Sequence, residues 1–97
     1  MAAAVPHLKR VGVLVTGRVQ GVGYRYYTED AANHFGLTGW VANRFDGSVE
    51  LEAQGGEDVL TEFLARLRQG PPLSYVKEVL VNDLPATTGE KGFEIRY

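Results

Sequence analysis

The sequence contains no cysteine. This absence excludes a disulfide framework, a zinc site built on thiolates and a cysteine nucleophile, and it is compatible with a reducing compartment. The sequence also lacks an apolar run near the length of about 20 residues that a membrane-spanning helix needs. Its start, MAAAVP, lacks the basic flank and long apolar region of a secretory signal. We therefore expect a soluble cytoplasmic protein with no membrane partner.

Neither sign of charge is in large excess. Ten Lys and Arg stand against 12 Asp and Glu, which gives a net charge of -2. A general polyanion binder is strongly basic, so any positive site must be local and we expect no nucleic-acid partner. The two histidines, His7 and His34, lie apart and have no carboxylate at metal-ligand spacing. We therefore predict no metal and no cofactor.

The length and composition predict one domain. A chain of 97 residues with 44% hydrophobic content can bury a core without disulfides or a structural metal. We expect a single domain over residues 1–97, in which residues 1–7 form a flexible N-terminus, and a monomeric protein.

Hydrophobic periodicity predicts two helices and five strands. Apolar residues spaced three and four apart begin at Tyr24 and predict a helix that ends at Gly36. The same spacing predicts a second helix, which begins at Glu57 and stops before the Gly70-Pro71-Pro72 breaker. Runs rich in β-branched residues or alternating in polarity predict strands over residues 8–16, 40–45, 48–54, 76–81 and 93–97.

This order of elements predicts an α+β fold. Strand, helix, strand, strand, helix and strand, with a short terminal strand, indicate a ferredoxin-like βαββαβ sandwich, in which two helices cover one face of an antiparallel sheet. Right-handed crossovers would place the first and third strands side by side in the middle of the sheet. We expect the first strand to be buried on both sides, because Leu14 opposes a row of valines. Residues 83–92, rich in Thr, Gly and Pro, are predicted to form an exposed loop.

A glycine-rich loop joins the first strand to the first helix and reads GRVQGVGYR over residues 17–25. Gly17, Gly21 and Gly23 allow tight turns that bring several backbone N–H groups toward one point. The start of the following helix adds N–H groups without internal acceptors and a partial positive charge. Arg25 lies near the N-terminus of this helix, where the partial positive charge makes a cation mildly unfavourable. A bound oxyanion would offset this repulsion. Without such an anion, Arg25 would be a solvated or salt-bridged side chain.

Two motifs resemble the signatures of the acylphosphatase family. VTGRVQGVGYR over residues 15–25 resembles the first signature, G-x-V-Q-G-V-x-F-R, with Tyr24 where the family usually has phenylalanine. GWVAN over residues 39–43, continued by Gly47, Val49 and Gly55, resembles the second. The two motifs occur in the family's order, and the second half of the chain matches in its element order.

The resemblance implies hydrolysis of small-molecule acyl phosphates to a carboxylate and inorganic phosphate without a metal. It implies that Arg25 and Asn43 are catalytic, with Asn43 orienting the attacking water. It also implies that the loop and Arg25 bind the phosphoryl group, and that inorganic phosphate or sulfate can occupy the same place. The implied phosphate-binding residues are Gly17, Arg18, Val19, Gln20, Gly21, Val22, Gly23 and Arg25.

Two other functions share this predicted fold. A catalytically silent module could bind phosphate or a protein, but retention of both Arg25 and Asn43 argues against it. An RNA-recognition motif has the same connectivity, but the third strand would expose Glu50 and Glu52, which repel a phosphodiester backbone. Asn43 itself could simply satisfy the backbone of a hairpin turn, and only the second motif favours a catalytic role.

Overall fold

A computed structural model describes residues 8–97; the N-terminus predicted to be flexible, with His7, lies outside the described residues. Seven elements follow one another in the predicted order. The strands are β1 Leu8–Arg18, β2 Thr38–Asn43, β3 Val49–Gly56, β4 Tyr75–Leu84 and β5 Phe93–Arg96, and the helices are α1 Tyr24–His34 and α2 Glu57–Gln69.

The five strands form one sheet in the order β4-β1-β3-β2-β5. β1 pairs antiparallel with both β3 and β4, and β2 pairs antiparallel with β3. The prediction that the first and third strands lie side by side is confirmed. The short β5 pairs in parallel with β2, so the sheet is mixed at that edge. Both helices pack on one face, which confirms the ferredoxin-like α+β fold.

The core lies between the helices and the sheet. Alternate residues of β1 and β3 face the helices and are fully buried, as their period of two requires. Their partners from the helices are Ala31, Ala32, Leu60, Phe63 and Leu67. On the opposite face of β1, Leu14 is only half-buried and Leu8 is exposed. The prediction of burial on both sides therefore holds for that face only at Arg10 and Gly12, which are buried, and is wrong at Leu8 and Leu14, because no second layer of helices covers them.

The ends of α1 and β2 show which local signals were decisive. Gly36 adopts a left-handed φ of +66° directly after the α1 C-cap, as its position predicts. β2 ends at Asn43, two residues earlier than predicted, because a tight turn begins there. In that turn the Arg44 N–H donates to the Ser48 carbonyl at 2.9 Å, and the Asp46 carboxylate accepts from the Ser48 N–H at 3.0 Å.

Residues 85–92, which we call the strap, run from β4 to β5 and are fixed to the sheet at two points. Arg10 is 4% exposed and donates two hydrogen bonds to Glu90, at 2.9 and 3.2 Å. The Gln54 amide and the Thr87 backbone exchange two further bonds, each of 2.9 Å. Residues 83–92 were predicted as an exposed loop. The prediction is wrong for Asp83 and Leu84, which end β4, and it is confirmed for the strap, which is exposed except at the half-buried Glu90.

Glu90→Gln is expected to have a lower free energy of unfolding than the wild type at neutral pH, and the same free energy of unfolding as the wild type in acid. The hydrogen bond from Arg10 is the main cause that lowers the pKa of Glu90 below its ordinary value of 4.5. A carboxyl group whose pKa is lower in the folded state stabilises the fold at pH values above its unfolded pKa. This stabilisation is lost as the pH falls through the folded pKa. The free energy of unfolding, measured against pH, should therefore separate the wild type from Glu90→Gln above about pH 5 and bring them together in acid. A difference that does not change with pH would contradict this origin of the stability.

Candidate active site

A pocket of about 180 Å³ lies where the loop after β1, the start of α1 and the end of β2 meet. Backbone and side-chain donors surround it, and the motif residues Arg25 and Asn43 both contribute to its wall. Its lining residues are Val19, Gly21, Gly23, Tyr24, Arg25, Tyr26 and Asn43.

Two glycines with a left-handed backbone conformation set the shape of the loop, and the space beside each of them is open. Gly21 and Gly23 have φ of +75° and +81°, a left-handed conformation that favours glycine. A Cβ built on either would meet no atom within 4 Å, so their requirement is conformational rather than steric. The Val19 side chain is buried in the core, so its backbone is the part that faces the pocket.

The start of α1 offers unpaired N–H groups to the pocket. Gly23 is the N-cap residue and cannot supply a side-chain acceptor, and the first turn of α1 contains no acidic residue. The first intrahelical bond runs from the Tyr27 N–H to the Gly23 carbonyl at 3.0 Å. The N–H groups before Tyr27 therefore have no acceptor within the helix, and an oxyanion is the ligand that suits them.

Not every residue of the predicted phosphate-binding stretch lines the pocket. Gly17 and Arg18 belong to β1. Gly17 has a φ of +120° at the point where the β1–β4 register shifts, and a Cβ there would collide with the Tyr75 carbonyl. Its glycine is required by the close approach of β4. Arg18 is exposed at the strand end, and Val22 packs against the core.

Gln20 braces the loop against the turn that follows β2. Its amide Nε2 donates to the backbone carbonyls of Arg44 at 2.7 Å and Ser48 at 2.8 Å. This bridge holds Asn43, the last residue of β2, beside the loop. The Asn43 side chain is exposed and has no hydrogen-bond partner among residues 8–97. It also borders an open groove of about 790 Å³, so solvent reaches it directly.

The C-terminal residues hold Arg25 in place. Its Nη1 donates to the Arg96 carbonyl at 3.2 Å, and its guanidinium lies 4.8 Å from the centre of the Tyr97 ring. The hydroxyls of Tyr97 and Tyr26 are 3.3 Å apart. The remaining guanidinium donors of Arg25 have no acceptor among the described residues. Sequence reasoning missed these C-terminal partners, because it used the Phe93, Ile95 and Tyr97 alternation only to predict a strand.

Tyr24 stands where the resemblance expects phenylalanine, and its hydroxyl has a partner. The side chain is 1% exposed, and its hydroxyl donates to the Leu67 carbonyl at 2.7 Å. In a continuing helix that carbonyl would accept from residue 71, which is proline and has no N–H. Burial raises the pKa of Tyr24, so the hydroxyl stays protonated and keeps donating. The extra hydroxyl thus ties the start of α1 to the end of α2.

Tyr24→Phe is expected to destabilise the fold without abolishing catalysis. The change leaves the buried Leu67 carbonyl without a donor, which costs about 1–3 kcal/mol of unfolding free energy. The ring still packs in the same place, so Arg25 keeps its position and kcat should stay within about threefold of the wild type. Chemical denaturation and steady-state kinetics on the same preparations test this. A large kcat loss with unchanged stability would assign the hydroxyl to the chemistry instead.

Two features are absent from the described residues. No three His, Asp or Glu side chains among residues 8–97 come together in a way that could hold a metal ion. Over the same residues, neither helix has the length and apolarity to cross a membrane.

The geometry defines the chain as an α+β sandwich whose donors converge on a small pocket suited to an oxyanion. Residues 11–95 match the acylphosphatase family model. An acylphosphatase from Trichormus variabilis is 47% identical over 89 residues, which cover 92% of this chain and 87% of the relative. One from Bacillus licheniformis is 45% identical, covering 88% of this chain and 94% of the relative. The crystal structure of acylphosphatase from Bacillus subtilis superposes with a TM-score of 0.88 at 40% identity, covering 94% of this chain and all of that chain.

The chain belongs to the acylphosphatase family, as the two motifs predicted. It is an enzyme of that family, and the alternative of a catalytically silent module is not favoured.

Proposed function

We propose that this enzyme hydrolyses the carboxyl-phosphate bond of acyl phosphates without a metal, with Arg25 and the backbone of residues 17–23 as the phosphoryl-binding elements. Asn43 orients the attacking water. The observation that carries the proposal is the meeting of Arg25 and Asn43 on one pocket whose other wall is the glycine loop. Within the loop, we assign direct binding to the N–H groups around Gly21 and Gly23. Gly17 and Gln20 shape the loop, and Arg18 contributes through its charge.

The pocket concentrates positive charge where the phosphoryl oxygens would lie. Its sources are the loop N–H groups, the N-terminus of α1 and the free donors of Arg25. Charge spread over the phosphoryl oxygens in the transition state meets donors that are already in place, so little reorganisation accompanies the reaction. Arginine suits this role because its planar fork matches phosphate geometry.

The chemistry needs neither a strong base nor a covalent nucleophile. A carboxylate is a good leaving group, so the enzyme has to hold the phosphoryl group and aim a water. The water oxygen forms the new bond to phosphorus, the bond from phosphorus to the acyl oxygen breaks, and a phosphoryl oxygen of the substrate accepts the water proton. The neutral amide of Asn43 can orient this water beside a phosphate dianion, whereas a carboxylate there would repel the substrate.

We further propose that the enzyme works as a cytoplasmic monomer on small-molecule substrates. The absence of cysteine is compatible with a reducing compartment. Arg25, Asn43 and the glycine loop meet within one copy of the chain, which supports a monomer as the working unit.

Chelation and added anions test this mechanism together. Activity should survive exhaustive treatment with a chelator, and inorganic phosphate or sulfate should inhibit competitively by occupying the same donors. High salt should weaken binding only moderately, because the hydrogen bonds are directional and partly shielded.

Steady-state kinetics with each anion, before and after chelation, measure both effects. Loss of activity that magnesium restores would contradict the metal-free mechanism and direct attention to Glu29, Asp30 and Asp46. Full activity at saturating phosphate would place the site away from this loop.

A further inference from the structure

We propose that the ion pair of Arg10 and Glu90 positions Arg25 for catalysis, acting through the strap and β5. The inference rests on the assignment of Arg25 to phosphoryl binding made above. Neither residue of the pair lines the pocket. The pair lies on the face of the sheet opposite the helices, because Arg10 has the opposite side-chain direction to Val11 and Val13 in β1.

The pair is a built anchor rather than a chance surface contact. Arg10 is 4% exposed, and besides Glu90 its guanidinium donates to Glu52 at 2.9 Å, and to Gln54 and Thr87 at 3.3 Å each. Two of these acceptors lie in β3 and two in the strap. A buried guanidinium left without such acceptors is strongly unfavourable, so Arg10 holds the strap to β3 firmly.

The strap leads directly into the segment that holds Arg25. After Glu90, the Gly92 carbonyl accepts from the Gly39 N–H at 3.1 Å, and β5 then pairs with β2 from Phe93 to Arg96. The Arg96 carbonyl is the hydrogen-bond acceptor for Arg25, and the next residue supplies the ring beneath the guanidinium.

β5 has only four residues and pairs with one neighbour, at the edge of the sheet. Edge strands of this length have few bonds of their own to fix their ends. The far end of β5 is held by Ile95, which packs against the core, and by the Arg96 guanidinium, which lies 4.6 Å from the centre of the Trp40 ring. The near end is held by the contact of Phe93 with Phe63, at 6.5 Å between ring centres, and by the anchor in the strap. The anchor therefore adds to the restraint on β5 as a whole, and with it to how closely Arg25 keeps its orientation.

The test compares Glu90→Ala with a matched control, Asp83→Ala. Asp83 is a carboxylate just before the strap, near the end of β4, and among residues 8–97 its side chain pairs only with Lys9, at 3.4 Å and largely in solvent. We expect Glu90→Ala to lower kcat/KM for benzoyl phosphate by about tenfold, because small misplacements of an orienting group have effects of up to roughly a hundredfold. The inhibition constant of inorganic phosphate should rise with it. Asp83→Ala should change neither value.

A chain shortened to end at Ile95 separates positioning from general destabilisation. It lacks both partners of Arg25, so Glu90→Ala should have no further effect on kcat/KM in that background. Glu90→Gln, which keeps an acceptor for Arg10, should fall between the wild type and Glu90→Ala. If Glu90→Ala does not fold, Glu90→Gln takes its place in the same comparison.

Wild-type kinetics in a folded Glu90→Ala variant would overturn the inference, and so would an equal loss in the full and shortened chains. Either result leaves the proposed function intact, because that function depends on Arg25→Ala being inactive. If Arg25→Ala is active, the proposed function itself fails.

Discussion

Arg25→Ala is expected to abolish most of the activity while the fold remains intact. The change removes up to two charge-assisted hydrogen bonds to the phosphoryl group, each worth roughly 1.5–3 kcal/mol. This corresponds to a loss in turnover or affinity on the order of a hundredfold to ten-thousandfold. Arg25 is a half-buried residue in the first turn of α1 and is not part of the core, so its loss leaves the core untouched. Steady-state kinetics on benzoyl phosphate, with circular dichroism to confirm folding, give the measurement.

Two further variants control this result. Arg25→Lys should recover little activity, because an ammonium is a point charge and cannot reproduce the planar fork of the guanidinium. Arg68→Ala removes the same charge from an exposed position in the last turn of α2, outside the pocket, and should leave the kinetics unchanged. Wild-type kinetics in a folded Arg25→Ala variant would remove Arg25 from the site.

Asn43→Ala is expected to lower kcat far more than it weakens phosphate binding. The exposed carboxamide has no hydrogen-bond partner among residues 8–97 and no role in the core, so its proposed work is to hold the water. Loss of one positioned hydrogen bond of this kind lowers kcat by about a hundredfold or more. Measuring kcat together with the inhibition constant of inorganic phosphate separates water positioning from phosphoryl binding.

Asn82→Ala is the matched control for Asn43→Ala. Asn82 is an exposed asparagine in β4, on the open face of the sheet, and its truncation should change neither constant. Equal losses of kcat and phosphate affinity in Asn43→Ala would reassign Asn43 to phosphate binding or to structure.

Local sequence signals were sufficient for the framework of this fold. The helical spacing from Tyr24, the left-handed Gly36 and the Gly70-Pro71-Pro72 breaker each act within a few residues, so they could be interpreted without tertiary contacts. The central pairing of β1 with β3 followed from the handedness of crossovers. The end of β2 was misplaced because the turn depends on how the Asp46 side chain bonds to Ser48.

The features of the site that sequence analysis did not predict depend on long-range contacts. Arg10 bonds to Glu90 across 80 positions and Arg25 bonds to Arg96 across 71. No local sequence pattern indicates contacts over such separations. The role of Gly17 in the loop could not be predicted from local sequence either. The sequence grouped Gly17 with Gly21 and Gly23, but Gly17 is required by the backbone of β4, which arrives almost 60 residues later.

The central claim is that backbone donors and Arg25 supply all the positive charge that acyl phosphate hydrolysis requires. The most direct measurement is the hydrolysis of benzoyl phosphate by the purified, exhaustively chelated chain, followed by release of benzoate and inorganic phosphate. We expect one benzoate and one phosphate for each substrate consumed, at a rate that added magnesium does not raise. A chelated chain that hydrolyses nothing until a metal is returned would contradict the account.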